Sequence, residues 1–472
     1  MSRNFLGNPF RRKVTISAIV MVFVLCLLPI ISATTLAASK HASSNSQTSV
    51  RSFKGLHFKI ALKGQQPPTD AMCRAQFSSP CYSPQEMRTA YNVTPLINAG
   101  YTGKGQSIVI IDSFGSPTIQ ADLHTFDEAY GLPDPKLTVL SPLGTLPFDP
   151  NNSDMVGWAF ETTLDVEWSH AIAPGANIVL MTSPVSETEG MQGLPQFLYL
   201  EKYAVDHHLG KIISQSWGAT ENTLFTPAGE QVFNQFESFY KHAAQENVTV
   251  FASSGDSGSS NVELDGTTVY PFPTVGYPAS SPWVTAVGGT SLYADTNTGT
   301  YDSETVWDEV AQSAGAGGGG ISQVFSEPDY QRANLPKSDQ KLLGGHRGIP
   351  DISYNADPLT AILVYISFIP GQSGFYFIGG TSEGSPQWAG IIADANQLAG
   401  RPLGFLNKAL YELGNSSDAS ESFHDITVGN NGYNNIPGYN ATPGWDAASG
   451  WGTPKTANFI SELIEQITGA GN

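Results

Sequence analysis

The sequence predicts an α/β protein built on a parallel sheet with helices on both faces, and three observations carry that prediction. Short β-rich apolar runs alternate with helix-length segments through much of the chain. Polar residues gather just after those runs, where ligands of such sheets bind. An apolar run then enters a glycine turn, one hydroxyl and a buried helix, so strand, tight turn and helix follow within twenty residues.

Residues 106–112 form a β-rich run ending on Asp112, and 119–130 follow with helical spacing. Further apolar runs lie at 177–181, 211–214, 248–252 and 284–287, with helix-length segments at 160–172, 197–207 and 231–246 between them. After these strands come Ser216-Trp217-Gly218 and Ser254-Gly255-Asp256-Ser257-Gly258. The section 292–373, with its glycine run 315–320, reads as surface loops on the same domain. Residues 374–378 lead into Gly379-Gly380-Thr381-Ser382, and Trp388 begins the buried part of the helix beyond. Glycine supplies unusual dihedrals there, and a helix N-terminus supports an anion, so Ser382 is the candidate nucleophile. A helix cap explains the same residues equally well, so a partner elsewhere must decide.

Length and composition restrict what the chain can be. With 472 residues, 14% of them charged, it can bury a large core. Arg11-Arg12-Lys13 precede an apolar run from Val14 to Ala33 and a small-residue stretch ending near Ala37, which reads as a secretory signal over 1–37. The same run is long enough for an anchor, but Pro29 and Thr35-x-Ala37 favour cleavage and a secreted protein without lasting membrane insertion. Its loss takes the net charge from −19 to −23, since it holds Arg3, Arg11, Arg12 and Lys13 and no acid. So acidic a chain is not built for nucleic acid. Cys26 lies in the signal, leaving Cys73 and Cys81 free to close a short disulfide loop in an oxidising compartment. Residues 38–80 are rich in Ser, Gln, Pro and Lys and read as an extended lead-in, with one catalytic domain from 81 to 472.

A serine nucleophile needs a base, and histidine is the usual one. None of the nine histidines stands in a motif that would present it to Ser382. Glu161 and Asp165 offer another base, four apart and therefore on one helix face. Such pairs are commonly solvated acids, but this segment is heavily apolar and runs directly into Ala173-Pro174-Gly175-Ala176.

Glu161-x-x-x-Asp165, Ala173-Pro174-Gly175-Ala176, Ser216-Trp217-Gly218, Ser254-Gly255-Asp256-Ser257-Gly258 and Gly380-Thr381-Ser382, in that order, resemble the sedolisins, the serine-carboxyl peptidases. The resemblance covers the chain from about residue 81 onward. It implies a subtilisin-like fold with a seven-stranded parallel sheet, and a peptidase acting on protein or peptide substrates, read as an endopeptidase and a monomer with tripeptidyl-peptidase action as the alternative. It further implies Ser382 as nucleophile, Glu161 as base, Asp165 as the carboxylate that orients it, and Asp256 in the oxyanion hole. Asp112 and Trp217 belong to a supporting network. The chemistry requires Asp256 to carry a proton, since a carboxylate would repel the oxyanion, so an acid optimum is expected.

The segment 423–454 resembles the sedolisin calcium loop. One structural Ca2+ is implied, held by the side chains of Asp425 and Asp446 and the carbonyls of Ile426, Thr442 and Gly444, a donor set suited to a hard cation. Residues 38–80 are shorter than a sedolisin propeptide, and Glu383 follows Ser382 where a small residue is common. Gly380-Thr381-Ser382-Glu383-Gly384 also satisfies the G-x-S-x-G pattern of secreted esterases, though His424, the one later histidine, lies in the calcium-like loop. A non-catalytic binding protein on the same fold is the third reading.

Overall fold

The computed structural model describes residues 51–469 apart from 54, 55 and 313, with backbone alone for 51–60. The predicted signal 1–37 and Cys26 lie outside the described residues. The described residues belong to one compact unit, 48–472.

Seven parallel strands form the central sheet, in the spatial order Leu137–Leu140, Asn177–Ser183, Ser107–Ser113, Ile212–Gln215, Thr249–Ser253, Thr285–Ala294 and Ile352–Asn355. Tyr301–Val306 adds an antiparallel edge strand against Thr285–Ala294. The inner strands are buried along nearly their whole length, which is why they read as continuous apolar runs. One face packs under Leu194–Asp206 and Pro227–Gln245, and the other under Ser153–Ile172 and Gly384–Ala399.

Ser153–Ile172 is buried on all sides from Gly157 to Ile172. It starts seven residues before the helical segment read from sequence, because Asn152 caps it, its side chain accepting from the backbone N–H of Asp154 and Met155 at 2.9 and 3.2 Å. Gly390 lets it lie directly on Gly384–Ala399, since a Cβ there would fall 2.8 Å from Ile172 Cβ. That close approach sets the distance between the two helices that carry Glu161 and the Ser382 turn.

Two expectations are corrected. The section 292–373 is not a set of surface loops. It contains the seventh parallel strand, Ile352–Asn355, the strands Tyr301–Val306, Gly320–Ser326, His346–Ile349 and Ile362–Ile366, and two short helices, Asp329–Asn334 and Lys337–Leu343. Its strands are only four to seven residues long and separated by Gly and Pro, so no period accumulates in sequence. Nor is the lead-in without regular structure: Leu56–Lys63 pairs antiparallel with Gly374–Gly379, the strand entering the Ser382 turn. The alternation of Leu56, Phe58, Ile60 and Leu62 with polar or small residues was the sequence signal for it. Asp70–Phe77 follows as a helix, and Cys73 and Cys81 form the expected disulfide.

Candidate active site

Gly374–Gly379 ends at Gly380, whose φ of 137° and ψ of 160° belong to a region only glycine occupies comfortably. That conformation turns the chain through the short 3-10 segment Thr381–Glu383 into Gly384–Ala399. Ser382 therefore stands at a helix start, 7% exposed, at the mouth of a cleft. Ser385 Oγ lies 2.9 Å from Ser214 Oγ and ties the helix start to the sheet.

The cleft has a volume of about 460 Å3 and is lined by Ser382, Glu161, Ser216, Trp217 and Asp256, among others. These residues come from three strand ends and one helix, spread between positions 161 and 382. Glu161 is buried but reaches the cleft, while Asp165 lies one turn deeper and fully buried. Ser216 Oγ donates to Asp165 Oδ1 at 2.8 Å. Asp112, at the end of its strand, is fully buried, and its charge acts on Asp165 together with that of Glu161. The structure thus gathers Glu161, Asp165 and Asp112 into one acidic cluster behind Ser382. Burial, then repulsion from Asp112 and Glu161, pushes the Asp165 carboxyl well above the usual range. Burial likewise raises Asp112 to about 7. Such a cluster titrates as a unit.

Asp256 follows the Thr249–Ser253 strand and lines the same cleft as Ser382. Its Oδ1 accepts from Thr381 N at 2.7 Å and from Thr381 Oγ1 at 2.8 Å. Both donors sit on one oxygen, which leaves Oδ2 for a proton. Burial raises the group to about 7 despite those donors. Trp217 packs against Phe197, ring centroids 4.5 Å apart, and walls the cleft.

Sequence reading missed what holds Asp256 in place. Ala316 N donates to Asp256 O at 3.1 Å, Gly318 N to Gly255 O at 2.7 Å, and Ser254 Oγ to Gly318 O at 2.7 Å. The glycine run 315–320 is a shelf under the Asp256 loop. A Cβ at Gly318 would collide with the carbonyls of Ser254 and Gly255, so the absence of side chains was the signal. Glu383 turns into the core and accepts from Asn355 Nδ2 at 2.9 Å, and it does not line the cleft. No histidine is among the described residues that line the cleft. His424 stacks on Tyr301 at 3.6 Å instead.

At the predicted calcium loop, Asp425 and Asp446 both meet the segment 442–446. Gly444 N donates to the two Asp425 oxygens at 3.2 and 3.1 Å, and Thr442 N to Asp446 Oδ2 at 2.8 Å. Asp446 Oδ1 accepts from Ala448 N and Ser449 N at 2.9 and 2.8 Å. No group of three or more His, Cys, Asp or Glu side chains placed to hold a metal ion is present among the described residues, so any ion here relies on backbone carbonyls. Two carboxylates on one glycine-containing turn fit an oxygen-only cation.

Burial of so many acids has a consequence for stability. Asp112, Asp256, Glu237 and Glu304 are each raised to about 7. Unfolded carboxyls titrate near about 4. Between those values the folded chain holds more protons than the unfolded one, so stability is present at pH 4 and lost as pH rises through 7. Scanning calorimetry of an inactive variant is expected to give a higher Tm at pH 4 than at pH 8.

The family model described as the subtilase family matches residues 150–407. Kumamolisin from a Bacillus species is 35% identical over 380 residues, 79% of this chain and 62% of kumamolisin. Sedolisin from a Pseudomonas species is 33% identical over 360 residues, 75% of this chain and 56% of that protein. The chain therefore spans about six-tenths of the length of these relatives. Among solved structures, Pseudomonas sedolisin, described as a serine-carboxyl proteinase complexed with two molecules of pseudo-iodotyrostatin, superposes with a TM-score of 0.67 at 30% identity, covering 82% of this chain and 98% of that one. The parallel central sheet with helices on both faces agrees with these matches, and the chain belongs to the subtilase family, on its sedolisin branch.

Proposed function

We propose that the protein is a secreted serine-carboxyl endopeptidase working in acid, and that Ser382, Glu161, Asp165 and Asp256 carry the reaction. The observation that supports this most is one cleft shared by a serine at a helix start, a buried carboxyl cluster and a separate aspartic acid raised to about 7. Ser382 Oγ attacks the peptide carbonyl, and its proton passes to Glu161. Asp165 and Asp112 behind Glu161 hold the proton within the cluster. The carbonyl oxygen gains the negative charge and accepts a hydrogen bond from protonated Asp256. Collapse expels the amine, which takes the proton back from Glu161, and water then releases the acyl group by the same route.

Neutral or alkaline conditions remove the Asp256 proton, so turnover belongs to acid. Cleavage of a denatured protein between pH 3 and pH 8 tests this, with activity expected below neutrality and lost as pH rises through 7. A maximum above pH 7 would reject the assignment. The esterase reading needs a histidine at the serine, and none lines the cleft among the described residues.

A structural Ca2+ at Asp425, Asp446 and the carbonyls of Ile426, Thr442 and Gly444 fits the convergence of both aspartates on one turn. An ion bound at a hundredfold excess over its Kd stabilises the folded state by about 2.7 kcal/mol. Treatment with a chelator is therefore expected to lower Tm, and re-addition of Ca2+ but not Mg2+ to restore it. The N-terminal signal supports export. Among the described residues no helix is long and apolar enough to cross a membrane.

A further inference from the structure

We propose that Glu189 selects substrates with a lysine or arginine on the acyl side of the scissile bond, a specificity that rests on the peptidase reading above. The cleft beside Ser382 is lined by the segments 216–220 and 253–257 and also by Glu187, Thr188 and the half-buried Glu189. The attacked carbonyl must place its oxygen at Asp256 and its carbon at Ser382. The side chain of that same residue then enters the space walled by the Asp256 loop and the Trp217 segment.

That space is roomy because glycine lines it. A Cβ at Gly276 would meet nothing nearer than 3.9 Å, and one at Gly266, which also lines the cleft, would meet nothing within 4 Å. A long side chain is accommodated. Its polar end meets a carboxylate that is held in place and only partly satisfied. Thr220 N donates to Glu189 Oε2 at 2.8 Å. The nearby hydroxyls have better acceptors elsewhere: Thr220 Oγ1 is 3.2 Å from Glu189 but 2.9 Å from Val262 O, and Thr223 Oγ1 is 3.4 Å from Glu189 but 2.7 Å from Thr220 O. One full donor and two hydroxyls shared with nearer carbonyls thus serve a group with about four acceptor positions. The loop itself is anchored, since Gly190 N donates to Thr223 Oγ1 at 3.1 Å and Ser113 Oγ to Val185 O at 2.8 Å. A guanidinium or ammonium supplies the missing donors.

The titratable groups around Glu189 are all acidic: Glu187, Glu161 and Asp256 line the same cleft, and Tyr270 feels its charge. No lysine, arginine or histidine is among the described lining residues. Burial raises Glu189 to about 7, so in an empty cleft at pH 4 it is neutral. A bound cation favours the carboxylate and displaces its proton, so the preference for a basic residue grows between pH 4 and pH 6.

The test uses two internally quenched peptides that differ only in lysine or norleucine before the scissile bond, cleaved at pH 4 and pH 6 by wild type and Glu189→Gln. Wild type is expected to favour lysine by about tenfold in kcat/KM at pH 6 and less at pH 4. Glu189→Gln is expected to bring the ratio within about twofold, chiefly through a loss of kcat/KM on the lysine peptide. Fluorescence anisotropy of the same two sequences, labelled, on Ser382→Ala protein reads the preference without turnover. Equal binding and equal cleavage of the two peptides by the wild-type cleft, or a lysine preference that survives Glu189→Gln, overturns the proposal. Selective binding of the lysine peptide without any cleavage by wild type would uphold the pocket and reject the peptidase reading.

Discussion

Ser382→Ala is expected to lower proteolysis by about 10^5-fold or more, because removing a nucleophile leaves only binding and oxyanion stabilisation. Glu161→Gln is expected to cost about 10^2- to 10^4-fold, the range for loss of a general base. The two losses should not add, since base and nucleophile act in one step. The double variant should be no slower than Ser382→Ala alone. Single-turnover cleavage of a quenched peptide at pH 4 measures all three. Both substitutions are nearly isosteric and leave the Ser216–Asp165 hydrogen bond intact, so circular dichroism and Tm should remain close to wild type. If Glu161→Gln cleaves at the wild-type rate, the carboxyl cluster is structural and another group takes the serine proton.

The second large effect concerns Asp256. On the proposed mechanism its carboxyl must be protonated to donate to the oxyanion, and its value of about 7 puts the expected loss of activity in the neutral range. The sign follows directly: activity is present below that value and falls as pH rises through it. Asp256→Asn tests the cause, because an amide donates at every pH. Its carbonyl can keep the two hydrogen bonds from Thr381 while its NH2 faces the oxyanion. The alkaline limb of the pH–rate profile should therefore move upward by more than one unit. Asp256→Ala should instead reduce kcat by about 10^2- to 10^3-fold at the acid optimum, the usual cost of one oxyanion donor. An unchanged alkaline limb in Asp256→Asn would place the controlling proton elsewhere, with Asp112, also near 7, as the next group to replace.

The acid side of that profile has a different origin. On the proposed mechanism Glu161 accepts the serine proton and must be ionised, while burial raises Asp112, and burial with repulsion from Asp112 and Glu161 raises Asp165. Replacing Asp112 relieves part of the repulsion and is expected to lower the Asp165 value. The functional readout is the position of the acidic limb, which a purely structural role would leave in place.

Much of this protein was legible in residue order alone. Gly380 before Ser382 announced a strained turn at a helix start, and the backbone has that geometry. Glu161 and Asp165 on an apolar helix marked a buried carboxyl pair, because four residues of helix bring them to one face. Local periodicity set the parallel strands from 107 to 287, since strands buried on both faces have no freedom to be polar. These are short-range determinants, written within one or two elements. Distance in the chain hid the rest. The glycine run 315–320 carries no period and no chemistry, and its purpose follows only from its contact with the Asp256 loop. The strand Leu56–Lys63 depends on the open edge of Gly374–Gly379, more than 300 positions away. Glu189 meets the cleft only because the Thr220 and Thr223 backbone and hydroxyls hold its loop there. The raised carboxyls are likewise a property of the assembled fold, because desolvation is a sum over neighbours that sequence proximity does not supply. Sequence by itself determined which groups are candidates for the chemistry and the local geometry of each; the tertiary structure decided which of them meet, how dry they are and therefore in which direction their titration shifts.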